Sequence, residues 1–205
     1  IVGNIETIPQ NLFKNCNNLN EIKLPKSVSK IETSAFEGCT SLSKITILSP
    51  DINIEPNSFT GIISLELYGD IKSIPINAFK DCKSLQKITI SNSVTTICQS
   101  AFQGCSLLEQ VLFEKKSSVK LIGISAFEGC SSLKQIDIPY SVTSIAERSF
   151  YGCNSLSSIT ILPEIIEIGN KAFDGIPKLY IRGNIKTIPI NAFKECSSLQ
   201  EISIP

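Results

Sequence analysis

Apolar residues along this chain fall into a phrase that recurs from end to end. In full it reads V-x-x-I-x-x-x-A-F-x-G-C-x-S-L-x-x-I-x-I-P, and Ser141 to Ile161 (SVTSIAERSFYGCNSLSSITI) carries nearly all of it. In the second half of a unit, Ile45 and Ile47 alternate with Lys44 and Thr46, which predicts a short strand with one face buried. In the first half, Val28-Ser29-Lys30-Ile31 predicts another short β-branched segment that turns its apolar residues inward. Between the halves, Ala35-Phe36 supplies a bulky inward residue, followed by Gly38-Cys39 and a polar turn.

The Phe recurs at Phe13, Phe36, Phe59, Phe79, Phe102, Phe127, Phe150, Phe173 and Phe193, in steps of 23, 23, 20, 23, 25, 23, 23 and 20 residues. Nine units in 205 residues leave no room for a conventional globular domain. A period of this length defines a repeat array in which a unit buries its apolar corners only by stacking on a neighbour. Residues 1–205 thus read as one solenoid of nine coils, on the order of 40 Å long if stacked strands pair at about 4.8 Å. Its Phe residues form the structural spine.

Departures from the period are local. The third and eighth units are shortened at Gly61-Ile62-Ile63 and Gly175-Ile176-Pro177. The fifth ends in an enlarged connection, Glu114-Lys115-Lys116-Ser117-Ser118. The ninth unit, Ile185 to Ile204, nearly copies the fourth, Ile71 to Ile90, which suggests duplication of a block of repeats. Ile1-Val2-Gly3-Asn4-Ile5 matches the joints Leu67 to Ile71 and Ile181 to Ile185, so the expected reading is a segment of a longer array.

Composition then removes function classes. Lys+Arg and Asp+Glu balance at 19 each, so no net field favours nucleic acid or an acidic membrane. No apolar run is long enough to span a bilayer, and no direct membrane insertion is expected. His is absent, and with it the commonest general base and metal ligand. There is no Ser-centred elbow and no phosphate-cradling Gly loop, so no catalytic apparatus, metal or cofactor is expected.

The cysteines look most like a site. Cys16, Cys39, Cys82, Cys105, Cys130, Cys153 and Cys196 occupy the same place in their units, where a small buried hydrophobe fills one inward slot per coil. Ile62 and Ile176 take that slot in the shortened units. Stacking points neighbouring thiols the same way, whereas a disulfide needs facing Cβ groups and zinc needs convergent ligands. Cys98 stands apart, where other units carry Pro9, Glu32, Pro75, Ala146 or Pro189, and reads as a more exposed free thiol or an intermolecular disulfide partner.

A partner surface is best sought among the exposed strand positions: Lys23, Thr46, Glu66, Thr89, Leu112, Asp137, Thr160, Tyr180 and Ser203. The row mixes signs and hydroxyls with few aromatics, although interface hot spots favour Trp, Tyr and Arg. Within it Tyr180 and the nearby Arg182, with Leu112 and Phe113, stand out. A solvated sheet face is the plain alternative.

The phrases Ser93-Val94-Thr95-Thr96-Ile97, Ser100-Ala101-Phe102-Gln103-Gly104-Cys105 and Leu133 to Pro139 resemble the BspA-type (Treponema pallidum-type) leucine-rich repeat, over essentially the whole chain. The resemblance implies a right-handed, curved solenoid with a concave parallel β-sheet and turns or short helices on its convex side. It also implies surface or secreted proteins linked to adhesion, hence an extracellular or cell-surface location. No binding residue carries over, because the family's fixed positions are structural. Two functions remain. One is a non-catalytic module that binds a protein of a host cell, matrix or other surface through its concave face. The other is a scaffold or spacer that self-associates end to end into fibres.

Overall fold

The computed structural model describes residues 4–164, 166–183, 186–188, 190 and 192–204. The Ile1-Val2-Gly3 joint, the start of the ninth unit at Ile185, Pro189 and Pro205 lie outside these residues. Each of the first eight coils alternates a two-residue strand, a turn that carries the Phe, and a longer strand. The short strands are β1 (Thr7–Ile8), β3 (Lys30–Ile31), β5 (Asn53–Ile54), β7 (Ser73–Ile74), β9 (Thr96–Ile97), β11 (Leu121–Ile122), β13 (Ser144–Ile145) and β15 (Glu167–Ile168). The longer ones are β2 (Glu21–Leu24), β4 (Lys44–Ile47), β6 (Ser64–Gly69), β8 (Lys87–Ile90), β10 (Gln110–Phe113), β12 (Gln135–Ile138), β14 (Ser158–Ile161), β16 (Lys178–Gly183) and β17 (Glu201–Ser203). Of the two convex elements the resemblance allows, turns or short helices, only turns occur among the described residues.

All pairing is parallel and runs between successive coils, as in Ile22 beside Ile45 and Ile145 beside Ile168. A parallel crossover normally needs a dozen or more residues, and here the rest of the coil supplies them. At the entry to each strand pair the later coil donates to the earlier, as in Ser29 N–H to Glu6 O at 2.8 Å, and within the parallel ladders donors and acceptors alternate between the two strands. On the turn side the direction reverses. Phe36 N–H donates to Ser58 O and Phe102 N–H to Ala126 O, each at 2.8 Å. Between coils joined by a 23-residue step, three ladders therefore close one coil onto the next and leave few buried backbone groups without partners.

The core is the inside of the coil. Phe36, Phe59, Phe79, Phe102, Phe127, Phe150 and Phe173 are fully buried, while Phe13 and Phe193 are partly buried. Neighbouring rings from Phe13 to Phe173 stack at centroid spacings of 5.1 to 5.7 Å, and Phe193 lies tilted 5.8 Å from Phe173. Two turn positions per coil require a left-handed backbone. The residue two before the Phe has φ near +60°, as at Asn11, Asn57, Asn77 and Ser100, and the residue two after it is Gly38, Gly61, Gly104, Gly129, Gly152 or Gly175 in most units. Asn and Gly suit this conformation, because other side chains crowd the following carbonyl there.

Each change of repeat length opens a different side of the coil. At the 20-residue step from Phe59 to Phe79, β5 and β7 do not pair and Phe59 N–H makes no turn-side bond to the next coil, yet β6 and β8 do pair. At the 25-residue step from Phe102 to Phe127, the outcome is the opposite. There β9 pairs with β11 and the turn ladder is intact, but the sheet of longer strands stops at β10 and begins again at β12.

Candidate functional site

The outward residues of the longer strands do not form one straight row. Lys23 stands beside Thr46, and Thr46 beside Tyr68 rather than Glu66. Glu66 pairs in register with Lys44 on one side and Thr89 on the other, and Thr89 leads to Leu112. Beyond the break, Asp137 stands beside Thr160 and Thr160 beside Arg182, whereas Tyr180 stands between Ser158 and Ser203. The cause is the shortened units. Their strands β6 and β16 are six residues long, pairing backward with their last residues and forward with their first. Each introduces a two-residue stagger that consensus spacing does not reveal, and Tyr68 enters the face through it.

Charged side chains are tied down at both ends of the face. Lys44 lies 3.7 Å from Glu21 and its ammonium 5.3 Å from the centre of the Tyr68 ring. The Tyr68 hydroxyl donates to Glu66 at 2.8 Å, and that carboxylate raises the phenol's pKa. At the other end Lys178 pairs with Glu201 at 2.9 Å, lowering the carboxyl and raising the ammonium, and Tyr180 donates to Glu201 at 3.3 Å. Such solvent-facing pairs add little stability but fix side-chain direction.

The break between β10 and β12 is the most shaped feature of this face. Two cavities of about 310 Å³ each lie along it and share Val111, Leu112 and Asp137. One is apolar, with Phe113, Pro139, Tyr140 and Leu162 in its wall. The other is closed by Lys134 and Glu109, which pair across the break at 3.5 Å. Just before the strands, Ser132 N–H still donates to Ser106 O at 3.2 Å, so the coils part only along the strands themselves. Two features of the sequence fall at the open ladder. The enlarged connection leaves directly from the end of β10, which stays in register with β8 through Phe113, and Pro139 follows β12 where paired strands place a donor. At that position Glu114 N–H reaches Ile90 O at 3.0 Å and Leu162 N–H reaches Ile138 O at 3.3 Å, bonds that Pro cannot make.

The cysteine column is structural. Cys39, Cys82, Cys105, Cys130 and Cys153 are buried free thiols, and Ile62 and Ile176 are buried in the same column. The Cys105 thiol donates to Phe79 O at 3.0 Å and Cys153 to Phe127 O at 3.2 Å. Burial pushes the Cys82 thiol up to about 12, which removes the thiolate needed for reaction. Cys16, expected inside, is exposed, and Cys196 is half-buried, each packed by a coil on one side among the described residues. Cys98 is also half-buried. Among the described residues, no group of three His, Cys, Asp or Glu side chains is placed to hold a metal ion, and no helix is long and apolar enough to cross a membrane.

With the coil, its ladders and its strand face described, comparison places the chain among known proteins. The family model for the BspA type leucine rich repeat region matches in overlapping stretches, residues 1–109, 53–179 and 120–205. The chain belongs to this leucine-rich repeat family. Among solved structures it is similar to the leucine-rich repeat protein of Treponema pallidum, with 25% identity over 81% of this chain and 70% of that one, at a TM-score of 0.53. A leucine rich cell surface protein from Faecalibacterium prausnitzii is 26% identical over 89% of this chain and 47% of that one, at a TM-score of 0.50. A leucine-rich repeat protein from Bacteroides ovatus shares the fold at 24% identity, over 97% of this chain and 64% of that one, with a TM-score of 0.51. The chain thus spans about half to two thirds of the length of these last two proteins. No curated protein matches the chain.

Proposed function

We propose that this chain is a non-catalytic, protein-binding segment of a surface-exposed or secreted leucine-rich repeat protein, and that it adheres to its partner through the sheet of longer strands. That sheet supports the reading. Its outward positions carry Lys23, Thr46, Tyr68, Thr89 and Leu112 on one side of the break and Asp137, Thr160, Tyr180 and Arg182 on the other. None of these residues is needed to fill the core, which the opposite strand faces and the Phe column complete. Membership of the BspA-type family and the likeness to a protein described as a cell surface protein agree with the location. A broad face with many modest contacts suits attachment by several coils, and repeated copies would gain by avidity.

The test is binding of the purified chain to intact host cells and to matrix-coated surfaces. Thr46→Ala, Thr89→Ala, Asp137→Ala and Thr160→Ala are combined in one variant, since all four sit on paired strands and leave the core untouched. Loss of binding with an unchanged melting curve is the expected result. Undiminished binding by the folded variant counts against the strand face.

A further inference from the structure

We propose that the cleft where β10 and β12 end binds an arginine side chain of the partner protein. Asp137 receives the guanidinium, and the apolar walls receive its stem. The inference rests on the reading above, that the longer-strand sheet is the binding face.

Shape carries the first part. The two strands themselves lie close. Glu109 and Lys134 pair across the break at 3.5 Å, and Ser132 N–H donates to Ser106 O at 3.2 Å just before it. The opening lies at the other end, where the chain leaves β10 into its enlarged connection and leaves β12 through Pro139 and Tyr140. The cavity there, about 310 Å³, has Leu112, Phe113, Pro139, Tyr140 and Leu162 in its walls. It stands at the lower end of the range for binding pockets, roughly 300–1,000 Å³, as befits one long side chain. Leu112 is 43% and Tyr140 68% exposed, so the mouth faces a partner. Phe113 occupies the register position of the buried Ile90 on β8, yet is only partly buried.

Charge supplies the second part. The other carboxylates along the longer strands are each held by a neighbour. Glu21 pairs with Lys44, Glu66 accepts from Tyr68, Glu109 pairs with Lys134, and Glu201 with Lys178. Asp137 is exposed, lines the cavity and makes no ion pair or side-chain hydrogen bond among the described residues. On β14 the neutral Thr160 stands beside it, and β10 presents Leu112 across the break. Glu114, in the far wall, accepts from Asn92 N–H at 2.9 Å. Among the described residues Lys116 is the one cation lining the cavity; it is exposed and makes no ion pair.

The chemistry of the occupant follows. A guanidinium meets a carboxylate through two parallel hydrogen bonds and stacks on aromatic faces. The Phe113 and Tyr140 rings offer such faces, which attract a cation, and a methylene stem covers apolar walls. An anion would meet Asp137 and Glu114 instead, and a purely apolar group would desolvate Asp137 without a partner. Arginine is also among the residues that interface hot spots favour.

The experiment titrates isotope-labelled chain with the blocked tripeptide threonine-arginine-threonine. Its twin carries citrulline, which keeps the shape and loses the charge. The arginine peptide should shift Phe113, Asp137, Tyr140 and Leu162, with a dissociation constant on the order of 1 mM. The citrulline twin, Asp137→Asn and Tyr140→Ala should each weaken it about five- to tenfold. Lys116→Gln removes the competing ammonium and should tighten it. No shift at Phe113 or Tyr140 up to about 10 mM peptide overturns the proposal, as does equal binding by the citrulline twin or by Asp137→Asn. Tighter binding of spermidine than of the peptide overturns the assignment to a protein side chain. In the cell and matrix assay Tyr140→Ala should lose binding with the parent's melting curve. Parent-like binding by Tyr140→Ala, where the four-residue variant binds poorly, overturns the cleft and leaves the strand face standing. Undiminished binding by the four-residue variant counts against the broader reading itself.

Discussion

Phe127→Ala should divide the array in two. The Phe127 ring is fully buried between Phe102 at 5.1 Å and Phe150 at 5.4 Å, both nearly parallel to it. Truncation removes its burial and leaves a cavity that the flanking coils cannot collapse into, a loss of about 3–5 kcal/mol. Phe150→Ala removes the same atoms from a coil whose strand ladders to the coil before it, β12 to β14 and β11 to β13, are both complete. At Phe127 the longer-strand ladder is missing, so the ring stack, the turn ladder and the β9–β11 pair carry the whole interface. Stability in such arrays is close to a sum of nearest-neighbour terms, and the weakest interface decides where cooperativity fails. Urea unfolding followed by circular dichroism, with exchange to assign each half, is the assay. Phe127→Ala is expected to unfold in two steps, each with a smaller dependence on urea than the parent's single transition, since each exposes less surface. Phe150→Ala should remain closer to one step. A single transition of undiminished slope in Phe127→Ala would refute the reasoning, for it would mean that the coils are coupled through something other than these ladders and rings.

Other expectations concern the turns, the thiols and acid. Ser100 has φ +54°, and Ser100→Gly should stabilise the chain by about 0.5–1 kcal/mol in thermal or urea unfolding, the relief of a left-handed residue less the entropy of Gly. Gly69 has φ +105° and an added Cβ would press on the Ile47 carbonyl, so Gly69→Ala should cost about 2 kcal/mol or more and leave the other joints intact. In the native protein Cys16 should react readily with iodoacetamide while Cys82, Cys105, Cys130 and Cys153 stay unmodified until unfolding, as mass spectrometry would show; early labelling of the column would contradict its burial. The carboxyls of Glu37 (held by Ser34 and Lys14), Glu55 (by Lys30 and Thr33) and Glu201 (by Lys178) all titrate below their ordinary values. Burial pushes Glu128 and Asp174 upward, but Arg148, Ser125 and Gln103 together outweigh it at Glu128, and the Ser198 and Gly175 N–H groups with the Ser197 and Ser198 hydroxyls do so at Asp174, so both carboxyls also end below their ordinary values. A carboxyl lowered in the folded state binds fewer protons there than in the unfolded chain. Its contribution is therefore whole above the ordinary value near about 4 and is lost as pH falls through the folded value. The urea midpoint should stay level from neutrality to about pH 5 and fall below about pH 4; a midpoint that rises on acidification would contradict these pairings.

The coil was legible in the sequence because its period reports a local requirement. Every unit must place the Phe, the two strand phrases and the Cys slot inward, and neighbours repeat the demand at the same spacing. Even the shortened units announced their Ile substitutes in the Cys slot. The stagger of the face was not legible. It arises because β6 pairs backward through Glu66 to Gly69 and forward through Ser64 to Glu66, a register choice made between coils and not within one. Tyr68 was missed for that reason. The break between β10 and β12 left two marks, the 25-residue step and Pro139, and Leu112 and Phe113 were conspicuous as apolar residues in a polar row. Only the fold shows that these marks coincide, and that the turn side and the short strands stay paired while the long strands part.

The most direct measurement is amide exchange, residue by residue, across the longer-strand face of the free protein. Gln135 and Asp137 N–H should exchange far faster than Ser158 and Thr160, their register partners on β14, which donate into a complete ladder. Equal protection at all four would mean that the longer-strand ladder runs on unbroken, and would contradict the account.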